Sequence, residues 1–433
     1  MAKNIKRVIN AWCMYDWANS VYSLVITTTI FPIYYASVTK IAFGSEGVIF
    51  FGIPVNNTVL YSYSLSFSFL LVALISPMLS GIADFGGLRK SFMKFFTYLG
   101  GLSCIMLAWF NGFNLEFGIL FSTLASIGFA GSIVFYNAYL PIISTEDKYD
   151  RLSARGFAFG YGGSVILLIC SLFVISNPDL IGLKDAGMAS RLTFVLVGIW
   201  WIGFAQITFY YLPEDTRFKG SLNDLMNRGY AEIVRVFVSL RLYRSTARFL
   251  LAFLFYNMGV QTVIYMAALF GDKELGLSAN DLIVTILIIQ IVAIAGSYLF
   301  ALISEWRGNK FALLFMIFTW LGVCIFAFFI RSSLQFFILG TIVGLVLGGI
   351  QSLSRATYSK LIPTTTVSYT SYFSFYDVVE KLSVVLGTLA YGLVEQITGS
   401  MRNSTLALAI FFVLGFLTLW SVAIPFQSKP KAT

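Results

Sequence analysis

Apolar residues gather into twelve long runs, at roughly 11-36, 60-83, 92-111, 116-140, 154-177, 189-212, 246-270, 281-303, 311-331, 334-360, 369-396 and 403-426. A helix rises 1.5 Å per residue, so about 20 largely apolar residues cross the hydrocarbon layer of a bilayer. Each run is near or beyond that length. The pattern therefore predicts an all-α integral membrane protein with twelve transmembrane helices. The longest polar stretch, 213-245, falls between the sixth and seventh runs and predicts a linker between two six-helix halves, 1-212 and 246-433. Inside it, residues 225-242 set apolar side chains at helical spacing beside Arg228, Arg235 and Arg241, the mark of an amphipathic helix lying on the inner leaflet, with a partner-protein site as the alternative.

The two halves echo each other. Tyr15-Asp16 in the first run is matched by Tyr256-Asn257 in the seventh. The stretch Ser80 to Lys90 after the second run aligns with Ala301 to Lys310 after the eighth, acid to acid and Gly87 to Gly308. Tyr136 to Pro141 aligns with Tyr358 to Pro363, and Phe157-Ala158-Phe159 with Phe373-Ser374-Phe375. Parallel repeats with a solute site between them, near the middle of the bilayer, describe a secondary transporter.

Composition narrows the picture. The chain is 58% hydrophobic and 11% charged, against about a quarter charged in soluble domains. Its net charge of +9 resides mostly in the short loops between runs, so it reads as membrane topology and not as a nucleic-acid surface. Of the 29 Lys and Arg, 22 fall on the face that holds both ends of the chain and the linker, six on the other face, and Lys381 lies within the eleventh run. The positive-inside rule then puts both termini in the cytoplasm of a multi-pass protein. That membrane is the plasma (inner) membrane in a bacterium, or a vacuolar or lysosomal one in a eukaryote. Four scattered cysteines and no histidine supply neither a disulfide framework nor a metal motif. With no phosphate-binding Gly-x-x-x-x-Gly-Lys-Ser/Thr loop and no nucleophile with a base, we expect no enzyme, no cofactor and a monomer whose partners are a small solute and the lipid bilayer.

The informative residues are the polar ones inside the apolar runs. A charge there costs roughly 2.5 to 3.5 kcal/mol on insertion scales and usually faces a water-filled or protein-lined interior. Asp16 opens the first run, and Asp377, Glu380 and Lys381 share one face of the eleventh, at i, i+3 and i+4. Lys381 is 12 residues into that run, or about 18 Å, close to the bilayer middle. On one reading Asp377 and Lys381 neutralise each other and merely pack the bundle. On the other, Lys381 receives an anionic group of the solute, while Asp16 or Glu380 exchanges a proton or meets a solute ammonium; Asp16, Asp377 and Glu380 are the candidates for proton coupling. Asn19, Asn137, Asn257 and Gln261 are amides within the runs, and Tyr22, Tyr136 and Tyr376 are amphipathic candidates for a cavity wall.

The acid-x-x-Gly-x-Arg/Lys loops after runs two and eight of twelve resemble the signature of the major facilitator superfamily. Tyr15-Asp16-Trp17-Ala18-Asn19-Ser20 resembles more narrowly its vacuole-effluxer, autophagy-related family. Phe135 to Pro141, Ser153-Ala154-Arg155-Gly156, Gln351 to Arg355 and Lys381 extend the likeness over nearly the whole chain. The chain departs from that family at Met258, where an acid is usual, and at Glu380, where a small residue is usual. The resemblance implies the major-facilitator fold of two pseudo-symmetric six-helix halves and a cavity lined by helices 1, 4 and 7. It implies gating by latch loops, here Asp84, Gly87 and Arg89 with Glu305, Gly308 and Lys310. It also implies transport of a small polar solute, foremost an amino acid, by alternating access, with proton coupling through carboxylates. Export of lipophilic or cationic compounds, and a non-transporting receptor that kept the fold, are the competing readings.

Overall fold

A computed structural model describes residues 3–44, 47–215, 218, 220–363 and 366–424. Thr216, Arg217 and Lys219 of the linker, Lys429 and Lys431 of the tail, and the side chain of Arg241 lie outside the described residues.

Among the described residues, twelve long helices follow the twelve runs: α1 Lys6–Phe43, α2 Asn57–Gly86, α3 Arg89–Met106, α4 Leu115–Asn137, α5 Tyr149–Ser176, α6 Ala186–Tyr211, α7 Arg244–Leu275, α8 Ala279–Arg307, α9 Asn309–Phe329, α10 Ser333–Leu361, α11 Tyr369–Thr398 and α12 Met401–Trp420. Eleven of them are long and apolar enough to cross a membrane by length and composition. The twelfth, α11, has the length, at 30 residues, but carries Asp377, Glu380 and Lys381 in its middle. Several helices outrun their apolar stretch because polar ends continue the same hydrogen-bond ladder. α12 stops short of the expected 426, where Ser421 and Val422 fold back on Thr418 and Leu419. The linker forms its own helix, Leu222–Leu242.

Two features were not foreseen. The chain between α1 and α2 is a β-hairpin, β1 Gly47–Phe50 paired antiparallel with β2 Ile53–Asn56. Phe51 and Gly52 both take positive φ at its turn, the geometry that a two-residue hairpin requires. Within α1, Tyr22–Ile30 is a π-helix. Pro32 follows it and has no N–H to give to a carbonyl one turn back. The Tyr61 hydroxyl of α2 donates to the Thr27 carbonyl at 3.4 Å instead.

The helices form two compact units. One comprises residues 6–136 and 162–229. In it α6 packs on α1 and α3, with the Thr208 hydroxyl donating to the Ala11 carbonyl at 2.7 Å. A Cβ at Gly163 would press on the Trp17 carbonyl, so α5 lies backbone to backbone with α1. The other unit comprises residues 1–5, 137–161 and 230–433, and its helices repeat the scheme six places on. There α12 packs on α7 and α9, Trp320 stacks on Phe412 at 5.7 Å, and Gly387 lets α11 meet the Met258 carbonyl of α7. This is the internal pseudo-symmetry expected of the fold. Residues 137–161 pack with the C-terminal helices, although the sequence places them in the first half.

Candidate functional site

In the unit of residues 6–136 and 162–229, the α1 residues Asp16 and Asn19 are buried. The Tyr136 hydroxyl of α4 donates to an Asp16 carboxylate oxygen at 2.6 Å, and the Tyr136 ring stacks on Trp12 at 4.6 Å. A buried carboxylate is thus held by a charge-assisted bond from a ring that packing has fixed. One turn on, Asn19 Nδ2 is buried and makes no hydrogen bond among the described residues, a cost that a polar guest would relieve. The Tyr22 hydroxyl pairs with Ser126 at 2.7 Å. The π-helix begins at Tyr22, directly beyond these residues, and such segments recur at functional positions.

In the other unit, α11 buries both Asp377 and Lys381. Lys381 Nζ lies 3.2 Å from Asp377 Oδ1. The contact lacks hydrogen-bond geometry, so the carboxylate is neutralised by charge while both its oxygens lack a hydrogen bond among the described residues. Glu380 is half-buried and forms no ion pair among the described residues. Asn257 of α7 donates to Ser383, two residues beyond Lys381, at 2.5 Å. Gln261 is half-buried on the same helix as Asn257. Tyr376 stacks on Phe253 at 4.3 Å and lies 5.1 Å from the Tyr358 ring. The Tyr-Asp and Tyr-Asn echo in sequence has therefore diverged in contacts: Asp16 bonds to α4, whereas Asn257 bonds to α11.

The latch residues fall into dissimilar settings. Arg89 holds Asp84 at 2.7 Å and Asp215 at 3.1 Å, around Gly87 at φ +65. Burial pushes the Asp215 carboxyl up, opposed by Arg89 and reinforced by Asp84. In the second loop, Gly308 turns at φ +84, but Glu305 is bound by Arg151 at 2.8 Å. Lys310 donates instead to the Trp420 carbonyl at the end of α12, at 2.6 Å.

Sequence reasoning missed the densest polar cluster of the described chain. Asp150, at the start of α5, accepts from Lys360 at 2.7 Å, Ser304 at 3.0 Å and Asn309 at 2.8 Å. One turn along, the buried Arg355 donates to the Ser153 hydroxyl at 2.9 Å, the Ser153 carbonyl at 3.0 Å and the Asn137 side-chain carbonyl at 3.2 Å. Its guanidinium also lies 4.3 Å from the Phe157 ring centre. Asn137, expected among solute contacts, serves this arginine. In the sequence Arg355 closes the stretch Gln351 to Arg355 that carries the family likeness, and Lys360 is one of the basic residues on the linker's side. The available signal was their place: Arg355 lies six residues before the end of α10, inside its helical run.

The chain matches the family model described as vacuole effluxer Atg22 like over residues 4–430. It is 33% identical over 421 residues to the uncharacterized MFS-type transporter YxiO of Bacillus subtilis, covering 97% of this chain and 95% of that protein. It is 25% identical over 422 residues to autophagy-related protein 22 of Saccharomyces cerevisiae, covering 85% and 77%. Among solved structures, the MFS transporter FucP in its outward conformation superposes with a TM-score of 0.70 at 12% identity, over 96% of this chain and 99% of that one. The proton:xylose symporter XylE gives 0.67 at 12% identity, over 96% of each chain. Twelve helices in six-plus-six symmetry, acids and a lysine buried within spans, and a family match along almost the full length agree: this chain belongs to the Atg22-like vacuole-effluxer family of MFS-type transporters.

Proposed function

We propose that this transporter moves a small zwitterionic solute, foremost an amino acid, by alternating access. The observation that carries the reading is the buried Asp377–Lys381 pair in the middle of α11, whose carboxylate accepts no hydrogen bond among the described residues. Such a pair is a template for a zwitterion: a solute carboxylate takes the ammonium of Lys381 and a solute ammonium takes Asp377, so each charge exchanges one partner for another of like sign. Asn257 and Gln261 of α7 flank the solute in this reading. Asp16 or Glu380 carries the coupling proton. No histidine exists to do so.

Alternating access requires contacts that break without exposing apolar core. The layer joining residues 137–161 to α8, α9 and α10 meets that need, because it is built from ion pairs and hydrogen bonds that water can replace. In this account Asp150 with Lys360, and Arg151 with Glu305, join the loops of Asp84, Gly87 and Arg89 and of Glu305, Gly308 and Lys310 as gating elements. The chain's basic-residue bias puts this layer on the cytoplasmic face.

A thermal-shift screen of the purified protein against the common amino acids tests the solute class. At least one zwitterionic amino acid should raise the melting temperature of the wild type, and the rise should vanish in Lys381→Gln. A shift produced by lipophilic cations alone would favour the exporter reading and reject this one.

A further inference from the structure

The linker helix Leu222–Leu242 turns one face to protein and presents another that is apolar and uncovered. Val236 and Leu240 are buried in the core of their unit, Ser239 bonds to the Tyr372 hydroxyl at 2.6 Å, and the Ser368 hydroxyl donates to Glu232. On the far side, Tyr230, Val234, Val238 and Leu242 recur every fourth residue, and each stays open, at 65%, 43%, 49% and 76% of full exposure. At that spacing they form one continuous stripe. Arg235 borders it, paired with Glu232 at 2.6 Å yet 74% exposed along its side chain, and Arg244 follows it.

We infer that this stripe is a membrane-anchoring surface, seated in the glycerol and upper acyl region of the leaflet on the linker's side, with Arg235 and Arg244 on anionic lipid headgroups. Position argues for lipid over a protein partner. Only Tyr243 separates the linker helix from α7, so its C-terminal end cannot leave the membrane surface. α7 has 32 residues, about 48 Å of helix against roughly 30 Å of hydrocarbon, which leaves its first turns in the headgroup layer. An interfacial helix sits about 5–10 Å into that boundary, the depth at which the linker helix joins α7. Arginine at the border suits this place, since its stem lies along apolar surface while its head reaches phosphate. The opposite face grips Ser368 and Tyr372 at the head of α11, so lipid contact also fixes where that helix begins.

The test uses the full chain in proteoliposomes of phosphatidylcholine with phosphatidylglycerol. Cys170, the exposed native cysteine, is replaced by serine; Cys13, Cys104 and Cys324 are buried. Val234→Cys and Val238→Cys are labelled with an environment-sensitive fluorophore, and Asp147→Cys, at an exposed turn before α5, serves as the aqueous reference. Lipids with a nitroxide high on the acyl chain should quench positions 234 and 238 on the order of threefold more than 147, while aqueous iodide does the reverse. Arg235→Gln should reduce the difference between vesicles with and without phosphatidylglycerol. Iodide quenching at 234 and 238 equal to that at 147 would overturn the proposal, leaving the stripe in water or open to a protein partner.

Discussion

Removing one member of a buried ion pair strands the other, at roughly 3–5 kcal/mol, whereas replacing both is often nearly neutral. Lys381→Gln is therefore expected to lower stability, and Asp377→Asn with Lys381→Gln to recover most of it. If the pair only packs the bundle, the recovered double variant should transport; in our account it folds and is inactive. The sequence exposed this pair because ionised residues in an apolar run are conspicuous. It did not expose Asp150, an ordinary acid at a helix start whose buried position depends on partners 154 to 210 residues away. Asp215 gives a pH test outside the spans. Burial raises its carboxyl, first against Arg89 and then together with Asp84, so folding favours its neutral form. That stabilisation is present below the ordinary aspartate value of about 4 and is lost as pH rises through the raised value. Asp215→Asn should thus melt with the wild type at about pH 4 and above it at neutral pH. A wild type more stable than the variant at neutral pH would mean that charge on Arg89 outweighs burial.

Among elements, helix contacts here rest on absent side chains. A Cβ at Gly348 would overlap the Ala293 carbonyl oxygen and crowd Ser297, so α8 and α10 meet at backbone distance, the packing that small residues permit in membranes. Gly348→Ala should cost roughly 1–3 kcal/mol by overpacking. Gly203, within α6, has open space where its Cβ would be, and Gly203→Ala should be neutral or stabilising by up to about 1 kcal/mol. Equal melting temperatures for the two variants would contradict this. Apolar run length made the twelve helices legible, because a bilayer imposes one length on all of them. The hairpin after α1 was not legible, since Phe51-Gly52 lacks the usual Asn-Gly signal. Nor was the π-helix, which shares its composition with an α-helix and differs only in hydrogen-bond register.

For the whole molecule, six-plus-six symmetry could be read from short echoes because each half buries the same faces. The packing of residues 137–161 against the C-terminal helices could not, since it depends on long-range bonds such as Ser153 to Ser352. If that layer is a gate, joining it should stop transport: Arg151→Cys with Glu305→Cys, bridged by a short thiol crosslinker in a Cys170→Ser background, should be inactive until the bridge is cleaved. Full activity with the bridge in place would remove the layer from the cycle. The central claim is that ionised residues within the spans handle a zwitterion. Counterflow of radiolabelled zwitterionic amino acids into preloaded proteoliposomes tests it most directly: the wild type should accumulate label and Lys381→Gln should stay at the level of protein-free vesicles, whereas equal accumulation by both, or none by the wild type with any amino acid, would contradict it.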